Sequence, residues 1–320
     1  MTWSTIKTYI LNILVYGVGG IGGFFGGKLA LTDHHVTFLG RGKHFEAIHE
    51  NGLLIKSWQG DFTVRPNRIT DDVTSIGVPD LVLLGVKSWQ IPEAIEHLGP
   101  RLLPNTVILP LQNGVDNTQR ITKLLTSGHV LAGCCNLISY IEAPGIIRHA
   151  HFIPSITFGE VDDKLTQRVL EVKELFEEAG IANNIAFDIE KELWKKFLFI
   201  CPISGVGALT RLEINTICAA PYLFKLVRDA AYEILELAQT KGIAISQRDV
   251  ERTLETLKGQ EHMNTTSMQR DIIHGRPSEL EHLTGYVVHQ AKKRGIFAPT
   301  NELIYECLLP SELKVRRSSD

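Results

Sequence analysis

From Tyr9 to Gly27 the chain carries no charged side chain. An apolar run rich in β-branched residues, Ile10-Leu11-Asn12-Ile13-Leu14-Val15, leads into Gly17-Val18-Gly19-Gly20-Ile21-Gly22. Gly17, Gly19 and Gly22 make a G-x-G-x-x-G pattern, placed directly after a predicted strand and at the start of a predicted helix. That placement describes a dinucleotide cradle. Gly17 permits a tight turn, Gly19 lets the backbone approach a pyrophosphate, and Gly22 lets helix and strand pack closely. The helix N-terminus then presents unbonded N–H groups and the positive end of its dipole to the phosphates.

Three plainer readings compete for the same stretch. It is nearly long enough to span a bilayer, and with Lys7 in front it has the look of a signal peptide. Seven of its 19 residues are glycines, which weaken a helix and dilute its hydrophobicity, and no small-residue cleavage site closes it. The third reading is a glycine-rich turn without a ligand. A lone G-x-G-x-x-G does not separate that from a cofactor site, so the rest of the chain decides.

The 320 residues are enough for two domains and a large core. Lys plus Arg number 33 and Asp plus Glu 36, a net charge of −3 with no basic block, which argues against nucleic acid as a partner. The five cysteines, Cys134, Cys135, Cys201, Cys218 and Cys307, are scattered and form no C-x-x-C pair. They read as reduced thiols of a cytoplasmic protein, with Cys134-Cys135 in a buried strand. The apolar stretch from Phe197 to Ala220 contains Pro202, Arg211 and Glu213. It reads as buried helix rather than as a membrane span.

The first half alternates strands and helices. Strands are expected at Ile10–Val15, Val36–Leu39, Asp80–Val86, Val107–Leu111 and Val130–Cys135, with Ile146–Ala150 and Ser155–Gly159 closing the sheet. Leu53–Lys56 and Phe62–Val64 read as short antiparallel strands. Helices are expected at Ile21–Leu31, His44–Asn51, Ile91–Leu98, Asp116–Leu125 and Lys164–Ala179. Such repetition implies a mostly parallel, doubly wound α/β sheet. The polar run Ile181–Asn184 is the expected break, giving domains at 1–183 and 184–320. Beyond it the pattern is all-helical: a long helix from Ile189 capped by Asp188, then Pro221–Lys241, Gln247–Leu257, Met263–Ile273, Ser278–Arg294 and Asn301–Leu309, with a frayed tail from Val315.

Several residues are placed to carry chemistry. An acidic residue after strand two would bind the ribose 2′-hydroxyl of NAD, but Arg41 stands there, followed by Lys43 and His44, which favours the 2′-phosphate of NADP. Lys87 and Gln90 follow one buried strand, and Asn113 follows another, at the sheet edge where open α/β sheets bind ligands. Asn113-Gly114 is also an ordinary turn dipeptide. In the helical half, Ile189, Leu193, Lys196, Ile200 and Ile203 fall on one stripe, so Lys196 shares an apolar face while Lys195 points to solvent. A lysine there either snorkels outward or serves as a desolvated proton donor to a developing alkoxide. Ser278-x-x-Glu281 matches a capping box, with Glu279 at the first helical position and on one face with Leu283 and Tyr286. Ser267 either binds a substrate carboxylate or caps its own short helix.

Taken together, six segments resemble the ketopantoate reductases (2-dehydropantoate 2-reductases). They are Gly17-Val18-Gly19-Gly20-Ile21-Gly22, Val86-Lys87-Ser88-Trp89-Gln90, Gln112-Asn113-Gly114, Glu192-Leu193-Trp194-Lys195-Lys196-Phe197, Ser267-Met268-Gln269-Arg270-Asp271 and Arg276-Pro277-Ser278-Glu279-Leu280. The resemblance runs from about Ile13 to Leu309. It implies an N-terminal Rossmann domain, a helical C-terminal domain, and NADPH-dependent reduction of ketopantoate to pantoate on the route to pantothenate and coenzyme A. It places the catalytic lysine at Lys196, the substrate-binding glutamate at Glu279 and a substrate-binding serine at Ser267. Lys87 and Asn113 would lie near the nicotinamide, Asn113 also meeting substrate, and Arg41 would meet the 2′-phosphate.

One departure stands out. The best-known members carry asparagines one and two turns after the catalytic lysine that contact ketopantoate; this chain has Ile200 and Ser204 there, so the resemblance makes Ser204 a substrate-binding residue. Ile200 cannot hydrogen-bond, Ser204 is a shorter donor, and Pro202 between them removes a helical N–H. The expected activity is therefore ketopantoate reduction, with a paralogous reductase of another 2-oxo acid or a silent NADPH-binding sensor as alternatives. The expected partners are a small 2-oxo acid and a second copy in a homodimer; neither nucleic acid nor a membrane is expected.

Overall fold

The computed structural model describes residues 9–259 and 265–318. These form two compact units. One comprises the chain up to Gln112 together with Asp116–Ile189, the other Asn113–Val115 together with the chain from Glu190.

The first unit is built on a parallel six-stranded sheet. Its strands are β1 (Asn12–Tyr16), β2 (His35–Leu39), β5 (Arg68–Thr70), β6 (Leu81–Leu84), β7 (Val107–Pro110) and β8 (His129–Val130), in the order β5-β2-β1-β6-β7-β8. Every residue of β6 and β7 is buried, as the continuous apolar runs predict. Alternation divides the sheet between two cores. Ile13, Val15, Leu81, Leu83 and Leu109 pack with Phe24, Phe25 and Leu29 of helix α1 (Gly20–Leu29). Leu14, Val82, Leu84 and Ile108 pack with Ile91, Ile95 and Leu98 of α3 (Ile91–Leu98), the helix after α2 (Gly42–Asn51). The order runs outward from β1 to β2 on one side and from β1 to β6 on the other. The carboxyl ends of β1 and β6 therefore form the switch point where such sheets hold ligands.

The strands expected to close this sheet do not. A second sheet has the order β10-β11-β3-β4, formed by β3 (Leu53–Ser57), β4 (Phe62–Val64), β10 (Ser139–Ala143) and β11 (Ile146–His149). In it β11 runs parallel to β3, and Ile147 and Ile55 enter the same core as Phe24. This sheet covers the other side of α1, which explains why that helix is apolar nearly all round. A third sheet, β13-β12-β9, joins β9 (Ala132–Asn136), β12 (Ser155–Gly159) and β13 (Ala182–Ile185). The expected single strand at 130–135 is thus split between two sheets. The polar run at 181–184, read as a break, is instead a strand paired parallel to β12. It returns through α5 (Gln167–Glu178), whose Phe176 packs edge-on to Phe158 at 5.5 Å. Helix α4 (Asn117–Leu124) follows β7 and the segment 111–116. Cys134 and Cys135 are buried on β9, as expected, and none of the five cysteines is in a disulfide.

The second unit is helical. Its elements are α6 (Ile189–Thr210), α7 (Ile214–Ala219), α8 (Pro221–Thr240), α9 (Gln247–Lys258), α10 (Ser267–Ile273), α11 (Thr284–Arg294) and α12 (Pro299–Arg317). Helix α6 continues through Pro202 without a break. It is long and apolar enough to cross a membrane, yet 67% of its apolar window is buried inside the protein. The expected start at Met263 lies outside the described residues. The expected single helix from Ser278 to Arg294 is two pieces, a 3₁₀ turn at Leu280–His282 and then α11. The expected frayed tail is helical as far as Arg317, held by the Arg316–Glu312 ion pair at 2.8 Å.

Candidate active site

The glycine segment has the geometry of a cradle. Gly17 adopts a φ of +93°, which L side chains rarely accept, and its N–H donates to the Leu39 carbonyl at 2.9 Å. A Cβ on Gly22 would stand 2.0 Å from the Gly17 carbonyl oxygen, so only glycine fits there. Gly19 has open space where its side chain would be. It also caps α1 with neither a side-chain hydrogen bond nor an acidic residue in the first turn. Val18, Gly20 and Ile21 complete the loop and first turn, whose amide groups lack partners within the helix itself. The residues present therefore fit a dinucleotide's pyrophosphate.

The neighbouring strand ends converge on this loop. The Leu39 bond to Gly17 brings the β2 end alongside, and Arg41, two residues on, is the exposed N-cap of α2. The backbone N of Val86, after β6, lies 2.8 Å from the Cβ position of Gly17, which sets Lys87 beside the cradle. The side-chain oxygen of Gln90 accepts the Lys87 N–H at 3.1 Å, and the Gln90 N–H donates to the Lys87 carbonyl at 2.9 Å. Gln90 thus fixes the turn that presents Lys87. The Lys87 ammonium lies 5.9 Å from the centre of the Trp89 ring.

In the helical unit, Lys196 and Ile200 are half-buried on α6 between the buried Leu193 and Ile203. The stripe read from the sequence is real, with its middle open. Lys195 is held by Glu192 at 2.7 Å. Ser204, one turn beyond Ile200, is 0% exposed, and its hydroxyl meets no hydrogen-bonding group among the described residues. Ser267 opens α10, but the cap is the preceding residue: Thr266 Oγ1 accepts the Gln269 N–H at 3.2 Å. The capping reading of Ser267 is thereby replaced. Buried Gln269 donates to the Leu212 carbonyl at 2.7 Å and so ties α10 to the chain after α6.

Glu279 is 4% exposed, in the short segment before the 3₁₀ turn. The expected capping box around it is absent. Glu281 is engaged elsewhere, accepting from Tyr305 at 2.7 Å and pairing with His289 at 2.9 Å. Burial, together with that contact, pushes the Tyr305 phenol well above its ordinary range. Just downstream of Glu279, Tyr286 on α11 packs on Trp194 at 6.3 Å and on Phe197 at 6.0 Å. These two rings flank Lys196 in sequence. The structure thus packs the first turn of α11 against the turn of α6 that carries Lys196.

The descriptions "Ketopantoate reductase PanE/ApbA" and "Ketopantoate reductase PanE/ApbA C terminal" match residues 13–163 and 188–312. The chain belongs to the ketopantoate reductase family. The 2-dehydropantoate 2-reductase of Pyrococcus horikoshii is 30% identical over 305 residues, covering 94% of this chain and 98% of that protein. An uncharacterized oxidoreductase of Bacillus subtilis, YkpB, is 29% identical over 92% of this chain and 97% of its own length. Among solved structures, 2-dehydropantoate 2-reductase from Geobacter metallireducens superposes with a TM-score of 0.87 at 30% identity, covering 94% of this chain and 100% of the other. The chain is accordingly an oxidoreductase of the kind that acts on CH–OH groups with a nicotinamide cofactor.

Within this ketopantoate reductase fold, two buried polar residues were given no role by the sequence. Gln112 is 4% exposed, and neither atom of its side-chain amide meets a partner among the described residues. Its place at the end of an apolar strand was the available signal. Glu312 is 5% exposed and bonded to Ser278, 34 residues earlier. Nothing local in the sequence announces that pairing.

Proposed function

We propose that this chain reduces 2-dehydropantoate to pantoate with NADPH, with Lys196 as the proton donor. The observation that carries the reading is the family match over both units, in a chain that retains Lys196 and Glu279. The preference for NADPH rests on Arg41 at the end of β2, where an acidic residue would select NAD. Gly17–Gly22 would hold the pyrophosphate, Arg41 the 2′-phosphate, and Lys87 and Asn113 the nicotinamide side. A bound nicotinamide supplies the hydride for C2 of the oxo acid.

The chain's own residues do the rest. Lys196, on the half-open stripe of α6, hydrogen-bonds the carbonyl oxygen and passes it a proton as negative charge develops. Buried Glu279 orients the Lys196 ammonium or a substrate hydroxyl. Ser267, relieved of capping by Thr266, holds the carboxylate, and Asn113 offers a further amide contact.

One observation favours a second reading, reduction of a less polar 2-oxo acid. Ile200 presents hydrocarbon on the Lys196 stripe, and the Ser204 hydroxyl is sealed within the helix packing. A substrate hydroxyl left without a partner there costs about 1–3 kcal/mol, roughly one to two decades in kcat/KM. Following NADPH oxidation with 2-dehydropantoate beside a panel of 2-oxo acids tests both. Preference for 2-dehydropantoate supports the first reading. Turnover confined to substrates lacking its hydroxyl supports the second, and no turnover with any of them overturns both.

A further inference from the structure

We propose that Glu312, near the end of α12, is a positioning residue that sets the pose of Glu279. The inference rests on the reading of Glu279 as the carboxylate of the acid–base site. The observation is a closed ring of bonds around the residue just before it. Ser278 is fully buried. Its N–H donates to both Glu312 oxygens, at 3.0 and 3.3 Å, and its hydroxyl donates to Glu312 Oε2 at 2.6 Å. Arg316, one turn further along α12, closes the ring. Its Nη2 donates to Glu312 Oε1 at 2.8 Å and to the Ser278 carbonyl at 2.8 Å. All three polar groups of Ser278 are therefore engaged by two residues on one helix.

The ring bears directly on Glu279. The Ser278 hydroxyl accepts the Leu280 N–H at 3.2 Å, across the top of Glu279. The Glu279 carbonyl accepts the N–H groups of His282 at 3.1 Å and Leu283 at 3.0 Å. The Glu279 backbone is thus held on both sides, by the α12 ring before it and by the 3₁₀ turn after it. Such fixing matters because a misplacement of about 1 Å in a catalytic group costs on the order of a hundredfold in rate. The cost of the device is a buried carboxylate, Glu312, and it is met by an ion pair and three donated hydrogen bonds. A segment needing only to be folded could have used a conventional helix cap. This one is clamped from 34 residues away.

The test compares Glu312→Gln, Ser278→Ala, Glu279→Gln and the Glu279→Gln/Glu312→Gln double variant of the full chain. For each, kcat and KM for the oxo acid are measured, with the NADPH Kd from fluorescence titration. Glu312→Gln and Ser278→Ala are each expected to lose about tenfold or more in kcat/KM for the oxo acid while NADPH affinity stays within twofold. In the double variant Glu312→Gln should cause no further loss, because its effect runs through the Glu279 carboxylate. Additive losses, or single variants that melt earlier yet keep kcat/KM within twofold, would overturn the proposal. Should Glu312→Gln fail to fold, Ser278→Ala alone decides by the same criterion. A Glu279→Gln variant with undiminished kcat/KM would instead overturn the role of Glu279 itself, a separate result from a silent Glu312.

Discussion

A methyl group at position 22 would sit 2.0 Å from a backbone oxygen that cannot retreat, since the Gly17 amide is tied to Leu39. Gly22→Ala should therefore destabilise the first unit by about 1–3 kcal/mol, and by more if the turn must open. Urea denaturation measures this, and NADPH titration should show affinity lost with it. Arg41 offers a cleaner probe because it is exposed and caps its helix without a side-chain bond. Arg41→Ala should raise KM for NADPH far more than KM for NADH, shrinking the preference by about tenfold, while stability holds. A preference left intact would remove Arg41 from the 2′-phosphate site. Lys196→Ala should lower kcat by about a hundredfold or more, with the NADPH Kd within twofold. Steady-state rates and a binding titration separate these two quantities. All three residues were candidates in the sequence because each is defined by position on a local pattern. Glu312 was not, because its significance lies in a partner 34 residues away.

Elements were legible where the apolar pattern was continuous. Ile91–Leu98, Phe62–Val64 and Ser155–Gly159 match their expected bounds, since local periodicity and turn residues decide them. Which strand pairs with which was not legible. Ile147 could have faced the main sheet, but the glycines of α1 open a surface that accepts it beside Ile55, and only the assembled helix shows that. The box at Ser278 failed for a related reason. Glu281 was the local candidate, but Glu312 offers an oriented carboxylate to Ser278 while Tyr305 and His289 occupy Glu281. Helix joins repeat this long-range logic. The Glu233 carboxylate of α8 accepts the N–H groups of Thr300 at 2.8 Å and Asn301 at 2.9 Å, capping α12 from another helix. Asn301 Nδ2 adds a third bond to it at 2.7 Å. Glu233→Ala, which strands these donors, should cost about 1–3 kcal/mol in chemical denaturation. A loss under a few tenths would show that α12 holds its start without the cap.

At the scale of the molecule, acid is expected to weaken the fold through two histidines, the buried His149 and the half-buried His44. His149 donates its Nε2–H to the Phe152 carbonyl at 3.1 Å and accepts from the Ser57 hydroxyl at 2.8 Å. His44 accepts the Gly145 N–H at 3.0 Å. Burial lowers both below the ordinary value of 6.5. The unfolded chain therefore binds more protons than the folded one once the pH drops through about 6.5. Their contribution is present above that pH and is lost progressively toward the lowered folded values. Thermal melts between pH 7.5 and 5.5 should show a falling Tm that flattens in His149→Asn; an equal fall in the variant would exclude His149 as a source. The second sheet has a different consequence, one that concerns synthesis. Its β3–β4 hairpin ends at Val64, but its remaining strands begin only at Ser139. At ribosomal speeds of about 5–20 residues per second, the hairpin waits roughly 4–15 s for its neighbours. During that interval the edge of β3 lacks β11, the strand that later pairs with it. The nascent chain is then open to chaperones and to aggregation, and a slow patch of codons before Ser139 would prolong that exposure.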